Sequence, residues 1–296
     1  KRSVSARGYG YPNPIDKSTP VVYDREVHVL AAPYGPENGM FRRLLHIDKK
    51  DAFNVCGHLV TSEWAPTVPD TIATADIVWM DCVHVKKNMK ALRAKLSSLG
   101  IKKPVSQRWI CASTETSVYY PVLYPFAPLK QAYPEIDVFS TNRLDSDIPL
   151  IEIGDKYNVV PQSLLAAPTI PFKDKIPKVL TMYGNCDSRS GRQDYIRSFV
   201  QAFPSLVANH GKCWDGQSKT GAYSKEGVQE KSMLTSQHMF SFCLENSYVT
   251  DYVSEKVYQA LAGGSVPIYK GAPNAAKDLI PCEHCVIWVD DYPTAD

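Results

Sequence analysis

No apolar run in the 296 residues approaches the roughly 20 needed to cross a bilayer, and no secretory signal opens the chain. Lys1-Arg2-Ser3-Val4 is a polar start, so the sequence reads as a fragment whose missing N-terminus would carry any membrane anchor. Charge of one sign is also scarce: 33 Lys and Arg against 31 Asp and Glu leave a net charge of +2. With no arginine-rich run and no zinc-finger spacing, a nucleic-acid partner is excluded, while a local phosphate site is not. There is no Asn-x-Ser/Thr sequon, so this portion carries no N-glycan of its own. Neither Gly-x-Gly-x-x-Gly nor Gly-Lys-Ser/Thr occurs, which leaves dinucleotide dehydrogenases and P-loop enzymes without a motif.

Cysteine is modest at eight residues. Cys82, Cys111 and Cys243 lie in apolar runs, where cysteine serves as a small hydrophobe. Cys282 and Cys285 are close in sequence, but a zinc site needs a second ligand pair that the scattered His and Cys do not supply. A loop disulfide or two free thiols is the expectation there.

What is present is an ordinary globular composition, 44% hydrophobic and 22% charged, at a length that suggests two domains. Residues 1–25 read as an irregular arm. Strand-like runs at Glu26 to Ala32, Phe53 to Val60, Asp76 to Met80 and Arg108 to Cys111 surround a helix from Lys86 to Leu99 that stops at Gly100. This alternation predicts a parallel α/β sheet. Prolines at 161, 168, 171 and 177 mark a boundary: a first domain over 1–165, a linker over 166–177 and a second domain over 178–296. The second begins with a strand, Lys178 to Tyr183. A turn from Gly184 to Arg192 follows, then a helix with Tyr195, Ile196, Phe199, Val200 and Phe203 on one face. Residues 205–229 read as loop, with Gly211 to Gly216 its most ordered part.

The richest stretch is Phe242-Cys243-Leu244-Glu245-Asn246-Ser247-Tyr248-Val249-Thr250-Asp251-Tyr252-Val253-Ser254-Glu255-Lys256-Val257. It predicts a buried strand, a polar turn, a helix starting at Thr250 or Asp251, a stop at Gly263-Gly264 and a second strand to Tyr269. Val253, Val257, Ala260, Leu261 and Gly264 share one helical side; Tyr252, Glu255, Lys256 and Gln259 share the other, which is left free to bind. Three other sites carry chemistry with a plainer alternative beside each. Glu115 follows a strand's carboxyl end, where α/β folds put catalytic groups, or it is a loop residue. Asp145-Ser146-Asp147 matches the Asp-x-Asp pattern that holds a metal on a nucleotide diphosphate, or it is a turn. Arg192 opens a helix after a glycine-bearing turn, a phosphate-binding geometry, or it is a surface cation.

The stretch from Phe242 to Val257, continuing to Ile268, resembles the donor-site signature of the α-1,3-fucosyltransferases, glycosyltransferase family ten. Trp109 to Ser117, Arg143 to Pro149 and Gly184 to Tyr195 resemble three further family segments in the right order, as do Ile280-Pro281 and Val289 to Tyr292. The resemblance covers roughly residues 50–296. It implies an α/β chain of the GT-B fold, two Rossmann-like domains facing across a cleft, with acceptor on the first and GDP-fucose on the second. It also makes Asp145-Ser146-Asp147 a structural segment of a fold that needs no metal and no cofactor.

Carried onto this chain, the resemblance makes Glu115 the general base toward the acceptor 3-hydroxyl. Arg192 and Lys256 would hold the diphosphate, and Asn246, Tyr252 and Glu255 would contact the ribose and fucose. The implied reaction is inverting transfer of L-fucose to a GlcNAc in a glycan, either an N-glycan core or N-acetyllactosamine. Glu115-Thr116-Ser117 stands where the family usually has Glu-Ser. With Tyr119-Tyr120 and Gly271-Ala272-Pro273-Asn274, it leans toward the enzymes that fucosylate the N-glycan core. His210 stands where a Tyr is usual. The rivals are an inverting GT-B transferase with another sugar nucleotide, a metal-dependent transferase using Asp145 and Asp147, and a glycan-binding pseudoenzyme. Eukaryotic members are Golgi type II membrane proteins and bacterial ones cytoplasmic or peripheral.

Overall fold

A computed structural model describes residues 26–34, 53–55, 58–152, 164–213, 225–282 and 284–292. They form two sheets, as expected for two α/β units. The first has six strands: β1 (Val27–Ala31), β2 (Phe53–Val55), β3 (His58–Trp64), β4 (Ile77–Asp81), β5 (Arg108–Ser113) and β6 (Val138–Thr141), in the order β2-β3-β1-β4-β5-β6. All neighbours are parallel except β2 with β3. The predicted single strand from Phe53 to Val60 is therefore two strands, which pair antiparallel.

Helix α1 (Val85–Ser98) buries Val85, Met89, Leu92 and Leu96, one helical stripe, against Leu30, Val78, Met80, Trp109 and Phe139. It closes at Gly100, whose φ of 70° is the left-handed conformation that glycine adopts without strain. Helix α2 (Phe126–Ala132) lies in a stretch whose prolines and tyrosines read as loop. Pro128 falls in its first turn, where the missing N–H has no intrahelical partner to lose.

The second sheet is parallel throughout: β7 (Ile176–Thr181), β8 (Val207–Asn209), β9 (His238–Leu244), β10 (Val266–Lys270) and β11 (Ile287–Trp288), in the order β11-β10-β9-β7-β8. Around it lie α3 (Arg192–Ala202), α4 (Lys225–Gln237), α5 (Glu255–Ala262) and α6 (Ala275–Asp278). β8 and the start of α4 fall in the stretch read as loop. The strand has only three residues, and α4 is polar enough to show no clear stripe. Residues 214–216 lie outside the described residues. In both sheets the first strand is flanked by the second and third parallel strands, the doubly wound order that opens a crevice at the strands' carboxyl ends.

The predicted helix start at Thr250 or Asp251 is corrected. Asp251 has φ 71°, which a right-handed helix cannot contain, and α5 starts at Glu255 after the extended Ser254. Nor is the polar side of this helix open: Val257, Tyr258, Gln259 and Ala260 are all buried, so the helix is enclosed nearly all round. Cys82 and Cys111, expected to be apolar fillers, are joined to each other; Cys186 pairs with Cys213 and Cys282 with Cys285. Cys243 is free and buried, as expected. Cys56 lies outside the described residues. No helix of the described residues is long and apolar enough to cross a membrane.

Gly264 ends the α5 connection at φ 67°, and a Cβ there would lie 2.4 Å from Pro168 Cγ. Gly264→Ala is expected to cost about 1–3 kcal/mol of backbone strain, before any cost of moving Pro168. Chemical denaturation checks this, and unchanged stability would show that the turn relaxes freely.

Candidate active site

The carboxyl end of β9 organises one half of the site. Glu245, the residue after the strand, is fully buried; its N–H continues the ladder to the Lys270 carbonyl at 2.9 Å. Its carboxylate accepts from the Ser254 N–H at 2.8 Å and from the Ser254 hydroxyl at 2.8 and 2.9 Å, and pairs with Lys256 Nζ at 3.4 Å. A buried carboxylate thus sets the first turn of α5. Lys256 Nζ also donates to the Ser254 hydroxyl at 2.6 Å and lies 3.6 Å from Glu255. Burial opposes its charge, but Glu245 and Glu255 outweigh that and raise the ammonium above the ordinary lysine range.

Glu255 pairs with Lys231 of α4 at 2.8 Å. Burial works against its charge too, yet Lys231 and Lys256 hold its carboxyl well below the usual range. Its N–H donates to Glu152, 103 residues earlier, at 3.3 Å. Tyr252 is buried among carboxylates; burial first, then Glu152, Glu245, Glu115 and Glu255, push its phenol well above the ordinary value.

Arg192, at the first position of α3, is buried rather than a surface cation. Its guanidinium donates to the carbonyls of Leu244 at 3.0 Å and Asn185 at 3.3 Å and lies 4.3 Å over the Tyr183 ring. Tyr183 in turn bridges the Phe242 carbonyl and the Leu244 N–H, at 2.7 and 2.9 Å. Ser190 docks the preceding turn on the carbonyls of Glu245 and Asn246, at 2.7 and 3.1 Å. The charges of Arg192 and Lys256 act on one another, so both converge near the ends of β7 and β9, the crevice of this sheet.

The other half comes from the first sheet. Glu115 stands just past β5, half-buried, its N–H donating to the Ser113 hydroxyl at 3.1 Å. The next residue, Thr116, accepts a buried hydrogen bond from the Ser247 hydroxyl at 3.0 Å. Tyr119 donates to the Asn246 carbonyl at 3.4 Å, accepts from the Arg189 N–H at 3.0 Å, and carries the Arg189 guanidinium 5.0 Å above its ring. The strand-end loops of the two sheets therefore touch at the loop that holds Glu115. Asn246 uses its side-chain oxygen to accept from Ser247 at 3.1 Å.

Arg143 to Asp147 also bridges the sheets. Arg143 pairs with Asp251 at 3.0 Å and donates to the Thr250 carbonyl at 3.2 Å; the Leu144 N–H reaches Asp251 at 3.1 Å. Asn274 holds Asp251 from its other side, through bonds of 2.8 and 2.7 Å. Asp145 pairs back with Arg143 at 3.2 Å, and Asp147 accepts from the Phe139 N–H at 2.9 Å. The segment thus anchors the turn before α5. Among the described residues no group of three or more His, Cys, Asp or Glu is arranged to hold a metal ion. His210 lies 5.9 Å from the ring of His238.

Sequence reasoning passed over Glu245, Ser254, Lys231, Glu152 and the Arg143–Asp251 pair. Glu245 had a signal, a carboxylate directly after the apolar run Phe242-Cys243-Leu244. Glu152 had none, since its partner lies a hundred residues away.

Residues 172–296 match the family model described as glycosyltransferase family 10 (fucosyltransferase) C-term. Alpha-(1,3)-fucosyltransferase B of Drosophila melanogaster is 29% identical over 119 residues, 38% of this chain and 26% of that protein. GDP-fucose protein O-fucosyltransferase 3 of Xenopus laevis is 24% identical over 124 residues, 41% of this chain and 26% of that protein. The chain thus spans about a quarter of the length of these curated relatives. A solved structure of an alpha1,3-fucosyltransferase superposes with a TM-score of 0.50 at 15% identity, covering 96% of this chain and 77% of the other. That likeness bears out the expected GT-B fold.

Proposed function

We propose, from the premise that residues 172–296 are a glycosyltransferase family 10 domain, that this chain is an inverting α-1,3-fucosyltransferase using GDP-fucose. The observation that carries the reading is the contact of Thr116 with Ser247, at 3.0 Å. It joins the loop of the candidate base to the motif of the candidate donor site. Glu115 takes the proton from the 3-hydroxyl of an acceptor GlcNAc as that oxygen bonds to the anomeric carbon of fucose. The bond from that carbon to the diphosphate oxygen breaks, and GDP leaves with the electron pair. Attack opposite the leaving group inverts the carbon in one step, with no covalent intermediate. Lys256 and Arg192 meet the charge on the departing diphosphate, while Asn246, Tyr252 and Glu255 contact ribose and fucose hydroxyls. No metal or cofactor is part of this scheme. The paired cysteines favour an oxidising compartment, which fits work in the Golgi lumen.

The protein O-fucosyltransferase relative supports one second reading, a Ser or Thr hydroxyl of a polypeptide as acceptor. A panel of sugar nucleotides against N-glycan core, N-acetyllactosamine and peptide acceptors separates them. Release of nucleotide is expected with GDP-fucose only, on a GlcNAc acceptor, and unchanged in excess EDTA. Turnover of a UDP-sugar, or loss of activity in EDTA, would overturn the donor or the metal-free scheme. Transfer to peptide alone would move the acceptor assignment.

A further inference from the structure

The donor-side cluster has one member that the proposed chemistry does not use. Glu152 follows the first sheet: the Leu150 N–H, two residues before it, donates to the Thr141 carbonyl at the end of β6 at 2.7 Å. Its own carboxyl lies buried against the start of α5. One oxygen accepts the Glu255 N–H at 3.3 Å, which sets the Glu152 carboxyl beside the Glu255 side chain, where the two charges oppose each other. Ser254 stands at the N-cap but makes no side-chain cap bond, its hydroxyl being committed to Glu245 and Lys256. Glu152 therefore supplies, from the other sheet's chain, the cap that α5 lacks locally.

Two buried carboxylates held this close repel each other, so the pair is relieved when one of them carries a proton. Glu255 has Lys231 at 2.8 Å and Lys256 at 3.6 Å, and Glu152 has neither so close. The proton belongs on Glu152, which in that form still accepts the Glu255 N–H. Burial first, then the charges of Glu255 and Glu245 against the smaller opposing pull of Lys256, push its carboxyl well above the ordinary range. The cluster then holds two carboxylates, Glu245 and Glu255, against two ammoniums, Lys231 and Lys256, and is neutral.

We infer that Glu152 is a positioning residue of the donor site: by accepting the backbone N–H of Glu255 at the first turn of α5, it fixes where Glu255 and Lys256 meet a nucleoside diphosphate. The inference rests on the donor-site reading for its ligand, though not for its geometry. The groups that face Glu152 are Glu255, Lys256, Glu245, Tyr252 and Tyr258. When Glu152 loses its proton, it and Glu255 become two like charges in contact, and the lysine beside them is pulled away from a phosphate.

The test compares wild type with Glu152→Gln and Glu152→Ala in two measurements, GDP binding by calorimetry and thermal melting without nucleotide, each across pH 5 to 9. Gln keeps one acceptor and one donor but cannot titrate. It should bind GDP as tightly as wild type at low pH and lack the wild-type loss of affinity as pH rises. Ala removes the acceptor and should weaken GDP binding by about tenfold to a hundredfold at every pH. In melting, a carboxyl raised in the folded state contributes stability that is present below the ordinary glutamate value and lost as pH climbs toward the raised one. Wild type should show that fall relative to Glu152→Gln. Parallel melting curves for the two would overturn the proton on Glu152. GDP affinity unchanged in Glu152→Ala would overturn the positioning role. Wild type that binds no GDP would overturn the donor reading instead, while the melting curves still decide the proton on Glu152.

Discussion

Glu115→Gln is expected to lower the transfer rate by about 10²–10⁴-fold, the usual contribution of a positioned general base, while GDP binds as in wild type. At 1.36 kcal/mol per decade this is about 3–5 kcal/mol of transition-state stabilisation. The amide has the size of the carboxylate but cannot take the acceptor's proton. The bond that Glu115 gives to the Ser113 hydroxyl is made by the backbone, and Gln keeps it. Nor do the contacts that shape the donor side, Glu245 with Ser254 and Lys256, involve Glu115. Initial rates with saturating GDP-fucose, beside calorimetric GDP binding and a melting curve, make the comparison. Turnover within a few-fold of wild type would remove Glu115 from the role of base. A loss of GDP affinity as large as the loss of rate would mean that the residue shapes the donor site instead.

Lys256→Ala is expected to act on stability and binding together. Its ammonium sits in a cage of Glu245, Glu255 and the Ser254 hydroxyl, and Glu245 is fully buried with no other cation in contact among the described residues. Breaking a buried pair by removing one partner costs about 3–5 kcal/mol, because the remaining charge has no water to turn to. For a chain of this size that corresponds to a Tm lower by roughly 10 °C. GDP binding should fall below detection as well, since the same ammonium is assigned to the diphosphate. Lys256→Arg keeps the charge but not the compact shape the cage admits, so an intermediate affinity is expected. Unchanged GDP affinity in a folded Lys256→Ala protein would contradict the assignment. Arg192→Ala should resemble it, because the guanidinium holds the Leu244 and Asn185 carbonyls at the mouth of the same crevice.

Much of this molecule is legible in one dimension. The alternation of strands and helices, the stripe of Val85, Met89, Leu92 and Leu96, and the glycine stop at Gly100 are local patterns that packing only had to accept. The runs Trp109 to Ser117 and Phe242 to Val257 placed their polar residues at strand ends, and both strands do end there. The errors share a cause. Helix α5 begins later than its composition suggests because Asp251 is taken into a left-handed turn by Arg143 and Asn274, which lie far off in sequence. Cys82 and Cys111 look like apolar fillers until strand pairing sets Asp81 beside Ala112 and brings the two sulfurs together.

The sequence by itself determined the two α/β units and the strand-end motifs, and residues 172–296 carry the pattern that matches the glycosyltransferase family 10 model. It could do so because period, turn chemistry and motif are properties of neighbours along the chain. Only the tertiary structure decided which of those residues share charge. Glu245 beneath Lys256, Glu152 across from Glu255, and Thr116 against Ser247 join positions 11, 103 and 131 residues apart. In a buried setting each such contact sets protonation and orientation, because Coulomb and hydrogen-bond terms grow as water is excluded. Pairings at that range are written by the fold of both sheets together, and by no local pattern.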